Sequence, residues 1–177
     1  MKRLYSTLIA VVAFVLFGTA VLADPGTTWN KKINGAGRFQ VLNQFGKAAV
    51  LDKETGRVWE RSPNTGSFTW FNALLHCYQL EVGGRKGWRL PTIEELASLV
   101  DTSQANPSLP LGHPFSNVQL QSSIYWSATT DASDASLAWG VNFSNGFVSP
   151  GGGGFFKSNA AAFVWCVRGG QGIDGVQ

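Results

Sequence analysis

Short apolar segments with few charges flank two segments of helical period, and this order predicts the secondary structure. Residues 48–51 and 58–60 are separated by the turn sequence DKETG at 52–56, an arrangement typical of a β-hairpin. Residues 43–46 are expected to form a turn just before it. The folded part of the chain is therefore predicted to begin with extended structure.

The segment that begins at Ser67 has the period of an α-helix. Its apolar residues recur at i, i+3, i+4, i+7 and i+8 and so share one helix face: Trp70, Ala73, Leu74, Cys77 and Tyr78. The glycine pair at 83–84 is expected to end this helix.

A second helix is predicted to begin at Thr92, because Thr92 and Glu95 have the spacing of a capping box. Its buried stripe is expected to comprise Ile93, Leu96, Leu99 and Val100. A proline-rich loop at 101–114 follows it.

The remaining apolar segments are rich in aromatic and β-branched residues and predict strands at 123–129, 137–143, 146–149 and 162–168. Asn145 and Gly146 indicate a tight hairpin turn between the second and third of these strands. Strands, two helices and further strands in this order predict one α+β domain.

The first 23 residues have the pattern of a secretory signal. Lys2 and Arg3 precede 20 uncharged residues that end in Ala23. A retained signal anchor is the alternative, because 20 apolar residues are long enough to span a bilayer. Asp24 directly after the run favours cleavage, so we expect a soluble protein, with no membrane association, in the periplasm, on the cell surface or in the medium.

Composition and charge exclude two classes of protein. Of the 177 residues, 44% are hydrophobic and 12% are aromatic, which is enough to fill a core and excludes intrinsic disorder. The formal net charge is +3, but cleavage after Ala23 removes two basic residues and leaves 12 basic against 11 acidic ones. A balance of +1 excludes nucleic-acid binding through bulk charge.

Cys77 and Cys166 are the two cysteines of the chain. In an exported protein an even number predicts a disulfide, here closing a loop of about 90 residues. A reactive thiol or a metal site is the alternative, although neither cysteine has a CxxC partner or a nearby histidine pair.

Several motifs occur in a fixed order along the chain: GGRKGWRLPTIEEL at 83–96, YWSAT at 125–129, Ala138-Trp139 and VWCVRGG at 164–170. Together they resemble the Lcl C-terminal domain family, over roughly residues 45–171. The resemblance implies a C-type-lectin-like fold, with two helices packed on a twisted antiparallel sheet and Cys77 on the first helix bonded to Cys166 on the last strand. We therefore expect a signal peptide at 1–23, an N-terminal arm at 24–40, an Lcl C-terminal-like domain at 41–171 and a C-terminal tail at 172–177.

The residues of these motifs are interpreted as fold-forming. Trp88 is expected to be a buried apolar plug, and Pro91 to preset the entry into the second helix. Arg89 is expected to pair with the carboxylate of Glu94 or Glu95, because a half-buried guanidinium needs partners. The same set includes Trp126 and Arg168. Catalysis by Arg89 or Glu95 is the alternative.

A remoter similarity links the RLPT string at 89–92 to formylglycine-generating enzymes. Those enzymes need a dedicated pair of active-site cysteines, whereas both cysteines here are expected to form a structural bond. We therefore predict a protein that is not an enzyme and has no catalytic residues.

No metal or other cofactor is predicted either. The calcium-binding strings of sugar-binding C-type lectins are absent, and the spacing of the oxygen-bearing loop residues fits no calcium loop, so we interpret them as turn and cap residues: Asp101, Asn106, Asp131 and Asp134. His76 and His113 each lack a second ligand nearby.

The resemblance implies a secreted binding or adhesion module for a glycan, a glycosaminoglycan or a protein partner, since the namesake domain belongs to an adhesin that binds sulfated polysaccharide. The candidate ligand residues are aromatic or basic, most of them around the glycine-rich loop: Arg85, Lys86, Trp139, Phe147, Phe155, Phe156 and Lys157. The charge of +1 argues against sulfated glycans. Packing of Trp139 and Phe143 in the core is the alternative reading of these aromatics. A structural or assembly role in the envelope is the alternative function, and the oligomeric state stays open.

Overall fold

Three stretches of the chain are described by the computed structural model: residues 34–120, 124–150 and 156–169. The predicted signal peptide at 1–23, the first part of the predicted arm, Phe155 and the tail at 172–177 lie outside the described residues. The limits of these segments, and the boundaries of the domain, therefore stay predictions.

The first sheet has five strands in the order β1-β2-β3-β10-β5, all antiparallel. They are β1 (Phe39–Val41), β2 (Ala49–Asp52), β3 (Arg57–Glu60), β5 (Trp88–Arg89) and β10 (Val167–Arg168). The predicted hairpin is confirmed, with Asp52 opposite Arg57 at its closed end. A 3₁₀ turn at Asn43–Phe45 confirms the turn expected before it.

The second sheet has the order β4-β9-β6-β7-β8, and its strands are β4 (Asn64–Phe68), β6 (Tyr125–Thr130), β7 (Ala138–Asn142), β8 (Phe147–Pro150) and β9 (Ala162–Val164). Only the β6–β9 pairing within it is parallel. The expected single antiparallel sheet is thus two sheets, one of them mixed. The predicted strand at 162–168 is wrong as one element, because the chain leaves β9 at Val164 and enters β10, in the other sheet, at Val167.

Three helices accompany the sheets among the described residues: α1 (Gly35–Arg38), α2 (Trp70–Gln79) and α3 (Ile93–Ala97). Helix α2 begins later than predicted, because Ser67 and Phe68 belong to β4. It also ends earlier than expected, because Leu80 already has extended backbone angles. Gly83 and Gly84 form a separate tight turn, both at positive φ. Ala73 and Cys77 are fully buried on α2, but Tyr78 is 79% exposed, so its placement on the buried face was wrong.

Helix α3 begins as predicted. The Thr92 side chain accepts from the backbone N–H of Glu95, and the Glu95 carboxylate accepts from the N–H of Thr92, so the capping box is present. Leu96 and Leu99 are fully buried, but Leu99 and Val100 lie beyond the end of the helix at Ala97, so the predicted helical stripe was too long. The helix is only five residues long, so its position depends on these caps and on its buried Leu96.

Two groups of buried residues form the core. One lies under α2 and includes Ala73, Trp88 and Trp126. The other lies under α3 and includes Trp59, Tyr125, Phe143 and Trp165 among its aromatics. The expected burial of Trp88 and the core position of Phe143 are therefore confirmed, at 2% and 0% exposure.

A disulfide joins the two cysteines, as predicted, with their Cα atoms 5.4 Å apart. Cys77 lies on α2, whereas Cys166 lies between β9 and β10, where the chain crosses from one sheet to the other. The expectation that Cys166 lies on the last strand is corrected by this crossover. The bond therefore links α2 to the segment that connects the two sheets.

The last part of the predicted arm, residues 34–40, contributes to the first sheet. Arg38 is 7% exposed and donates to both carboxylate oxygens of Asp52, at 2.8 and 2.7 Å, and to the carbonyl oxygen of Ser98 at 2.9 Å. Asp52 is fully buried, so this pair is an ion pair of the interior. Residues 35–41 are thus held by contacts with the hairpin and with the end of α3.

Candidate functional site

A cavity of about 510 Å³ opens between α3 and the second sheet. Most of the side chains around it are apolar, and two are acidic: Ile93, Glu94 and Ala97 on α3; Thr129, Thr130, Asp131 and Ala132 at the end of β6; Trp139 on β7; and Val148 on β8. The volume is within the range of small-molecule sites, which are concave, mainly apolar and carry a few polar groups that orient a ligand.

The end of β6 shapes the cavity through an irregularity in its pairing with β7. Trp126 is opposite Gly140, but Thr130 is opposite Ala138, so β6 has two extra residues between these pairs. A bulge of this kind bends the strand and redirects its side chains. The residues from 129 to 132 therefore turn toward α3 instead of continuing a flat sheet.

Helix α3 is fixed to the same strand by two hydrogen bonds. The backbone N–H of Ile93 donates to the Thr129 hydroxyl oxygen at 2.9 Å, and the N–H of Ala128 donates to the Pro91 carbonyl at 2.7 Å. The carbonyl of Pro91, at the entry to α3, thus connects the helix to β6. Both walls of the cavity are connected before any ligand arrives, so the site is preformed.

Trp139 is the aromatic side chain of the cavity, and it is partly exposed there. Its Cα lies opposite that of Pro150 in the β7–β8 ladder. Trp139 therefore does not belong to the fully buried core, unlike Phe143, and its exposed part faces a space of ligand size.

Lys157 lies close to the cavity, and its ammonium already has partners within the protein. Its ammonium donates to the Thr130 hydroxyl at 2.7 Å and to the Ala135 carbonyl at 2.8 Å, and it lies 4.4 Å from the centre of the Trp70 ring. The hydrogen bond to Thr130 attaches the segment after 155 to β6. Phe156 attaches the same segment to the chain just before β7, because it pairs with Leu137. Phe156 itself is 43% exposed.

The other candidate ligand residues lie apart from the cavity lining. Phe147 begins β8 opposite Asn142 and is 60% exposed. Arg85 lies over the Phe45 ring at 5.0 Å, and Lys86 lies 3.9 Å from Glu81. The candidate set is thus divided, with Trp139 in the cavity, Phe156 and Lys157 attached beside it, and Arg85 and Lys86 around the Gly83–Gly84 turn.

Arg89 pairs with Glu95, one of the two carboxylates expected for it. Arg57 donates to the same carboxylate at 2.6 Å, so one acid lies between two guanidinium groups. Burial by itself would raise the pKa of Glu95, but hydrogen bonds from Arg89, Thr92 and Arg57 outweigh it and lower the pKa to about 2. Arg168 extends from β10 toward the Phe45 ring, 5.8 Å from its centre.

Glu60 is a buried acid that the motifs did not indicate. It is 6% exposed, and its carboxylate accepts from the backbone N–H of Cys166 at 2.8 Å, while its carbonyl accepts from the Trp165 indole at 2.9 Å. Burial raises the pKa of Glu60 to about 7, against the lowering effect of the Cys166 hydrogen bond. These contacts hold the crossover between the two sheets, away from the cavity lining.

Three of the four oxygen-bearing loop residues form turns, as interpreted. Asp101, Asp131 and Asp134 each accept, through one carboxylate oxygen, from the backbone N–H and the hydroxyl of the serine two residues ahead. Within the described stretches no group of three or more His, Cys, Asp or Glu side chains is placed to hold a metal ion.

The two histidines are packed against phenylalanines. His76 contacts Phe68 with ring centres 4.8 Å apart, and His113 contacts Phe115 at 5.9 Å. Burial lowers the pKa of both, so both are neutral at physiological pH.

Sequence reasoning named Glu94 and Asp131 for other roles and did not place them in a site. Glu94 was a possible partner of Arg89, and Asp131 a turn residue, but both line the cavity. The capping box could have indicated Glu94, because Glu94 lies in the first turn of α3, which the box orients. Nothing in the linear pattern brings that turn beside β6.

Comparison with known proteins gives one finding for the domain. The family model described as the Lcl C-terminal domain matches residues 48–168. A search of curated proteins gave no match. None of the helices in the described ranges is long and apolar enough to cross a membrane. Since the match covers more than half of the 177 residues, the chain belongs to the Lcl C-terminal domain family.

Proposed function

We propose that this protein is a secreted, non-enzymatic binding module that holds a glycan or a protein partner in the cavity beside α3. The observation that carries the proposal is the position of Trp139, a partly exposed indole in a preformed cavity of about 510 Å³. Aromatic faces of this kind pack against the apolar faces of sugar rings and against partner side chains. The C-type-lectin-like character of the fold is part of the same proposal.

The disulfide supports export. Bonds between cysteines form and persist in oxidising compartments, and here both cysteines of the chain are bonded and fully buried. The bond also supports a binding role over thiol chemistry of the formylglycine-generating type, because neither sulfur is a free thiol.

The experiment is an unbiased screen of the mature protein against glycans, glycosaminoglycans and envelope proteins, run with calcium and with a chelator. Trp139→Ala should abolish the captured interaction, since the ligand loses its aromatic contact. Phe147→Ala is the matched control, because Phe147 is a similarly large aromatic residue, 60% exposed and outside the cavity lining. Binding that survives Trp139→Ala, or the absence of any ligand from the screen, would overturn the proposal.

A structural or assembly role is the second candidate, and one observation favours it. Phe71, Leu75 and Tyr78 are exposed at 64, 49 and 79% and lie at i, i+4 and i+7 on α2. An exposed apolar stripe on a helix is typical of an interaction surface. Light scattering of the mature protein, with Tyr78→Ser and Leu75→Ser as variants, tests this role, because an assembly through α2 dissociates in the variants.

A further inference from the structure

The charged groups in the lining of the cavity are both carboxylates, and this determines which ligands fit. Glu94 is exposed on the first turn of α3, and its side chain makes no hydrogen bond or ion pair with any described residue. Asp131 uses one carboxylate oxygen for the Ser133 turn and is half-buried. Carboxylates only accept hydrogen bonds, so a ligand must supply the donors.

The basic group beside the cavity, Lys157, lies outside its lining. Its ammonium donates hydrogen bonds to Thr130 and Ala135 and lies against the Trp70 ring. The Thr129 hydroxyl oxygen already accepts from the N–H of Ile93. A sulfate or carboxylate group placed here would meet two negative charges with no cation in the lining.

Trp139 adds a second preference for positive charge. The face of an indole ring attracts an ammonium group, more strongly where apolar walls exclude water. Ile93, Ala97 and Val148 supply such walls beside Trp139. The cavity therefore combines an aromatic face, apolar walls and two acceptors, a set complementary to a sugar ring that carries a cation.

We infer that the cavity binds a hexose unit with a protonated amine, its ring against Trp139 and its ammonium toward Glu94 and Asp131. This inference rests on the proposed function and specifies its ligand class as non-sulfated amino sugars. The family resemblance implies a sulfated polysaccharide, and the charges of this cavity favour the opposite.

The test compares three oligosaccharides that share one backbone and differ only at the amine: a β-1,4-linked glucosamine tetramer, its N-acetylated form and its N-sulfated form. Titration calorimetry of the mature protein, at a pH where the amine is protonated, should find the tightest binding for the amine form, weaker binding for the N-acetylated form and the weakest for the N-sulfated form. At higher salt the advantage of the amine form should decrease, because exposed charges are screened.

Glu94→Gln should weaken the binding of the amine form by about threefold and leave the affinity for the N-acetylated form unchanged, as expected for an exposed charge pair. Glu81→Gln is the matched control, since it removes an exposed acid outside the cavity lining. Asp131→Asn keeps an acceptor for the Ser133 turn and should act in the same direction as Glu94→Gln.

The outcomes separate the two proposals. If a sulfated or neutral glycan binds more tightly through Trp139, the inference is overturned and the proposed binding function stands. If the amine form binds equally well to wild type and Glu94→Gln, the inference is also overturned. If none of the sugars binds and the screen finds no partner, both fall together.

Discussion

Arg89 and Glu95 form a bidentate ion pair in which Nη1 and Nη2 of the arginine each lie 2.7 Å from one carboxylate oxygen. The same carboxylate caps the N-terminus of α3 through the N–H of Thr92 at 2.9 Å. Glu95 thereby connects the short strand β5 to the helix that forms one wall of the cavity. The pair is a structural support for the site, because neither residue lines the cavity.

Glu95→Gln should lower the free energy of unfolding at pH 7 by about 2 kcal/mol, because it removes a carboxylate hydrogen-bonded to two guanidinium groups. The pKa of Glu95 in the folded protein is about 2, below its usual value of 4.5. Its contribution is therefore fully present above pH 4.5 and is lost as the pH falls toward 2. Denaturant unfolding of wild type and Glu95→Gln over this pH range should show that their free energies of unfolding converge as the pH falls.

Glu94→Gln is the matched control for that experiment. Glu94 is the neighbouring acid on the same helix turn, and its side chain makes no hydrogen bond or ion pair with a described residue, so its replacement should change stability by less than about 0.5 kcal/mol. A Glu94→Gln variant as unstable as Glu95→Gln would contradict the assigned role of the pair.

Glu60→Gln should have the opposite pH dependence. The pKa of Glu60 is raised from 4.5 to about 7, so the folded protein holds a proton that the unfolded chain has lost between these values. Stability therefore falls as the pH rises from 4.5 to 7, by at most roughly 3 kcal/mol from this group. Glutamine keeps an acceptor for the Cys166 N–H and removes the charge, so the variant should gain stability relative to wild type at pH 8.

The difference in unfolding free energy between wild type and Glu60→Gln isolates this group from other titrating residues. Thermal or urea unfolding at pH 4, 6 and 8 provides it. A difference that is constant across the three values would show that folding does not shift the pKa of Glu60.

Reduction of the disulfide should destabilise the protein by roughly 4–5 kcal/mol, since the bond closes a loop of about 90 residues in the unfolded chain. The separation of Cys77 and Cys166 is 89 residues. The double variant Cys77→Ala, Cys166→Ala should show the same loss without reductant. Unfolding of wild type with and without dithiothreitol measures the effect, and a double variant as stable as oxidised wild type would refute it.

Gly83→Ala and Gly84→Ala form a matched pair on one turn. Both glycines have positive φ, so alanine strains the backbone at each position by about 1 kcal/mol. A Cβ at Gly83 would also lie 2.6 Å from the carbonyl carbon of Phe45, whereas one at Gly84 meets open space. Gly83→Ala should therefore lower the free energy of unfolding by about 2 kcal/mol more than Gly84→Ala does, because its Cβ overpacks against the backbone of Phe45. Equal melting temperatures of the two variants would contradict this close approach.

Several local features follow from sequence because they depend on neighbouring residues. The hairpin at 49–60, the capping box of α3 and the turns at the aspartates all depend on side chains within three or four positions of one another. The disulfide was predictable for a different reason, since two cysteines allow one pairing. The candidate site was predicted in part, through Trp139.

Other features depend on partners distant in the chain. Tyr78 has the correct helical spacing for burial, yet α2 buries a narrower face than its apolar residues suggest. The run at 162–167 is uniformly apolar because both its ends and its crossover are buried, so hydrophobicity could not reveal the change of sheet.

By itself the sequence determined the first hairpin, the two main helices, the family and the paired cysteines, because these are set by local chemistry and by motif order. Only the tertiary structure decided which acids accompany Trp139. Glu94 and Asp131 are 37 positions apart and line the same cavity because α3 is hydrogen-bonded to the bulged end of β6. Long-range pairing of this kind depends on the combined packing of both sheets, which no single segment of the chain encodes.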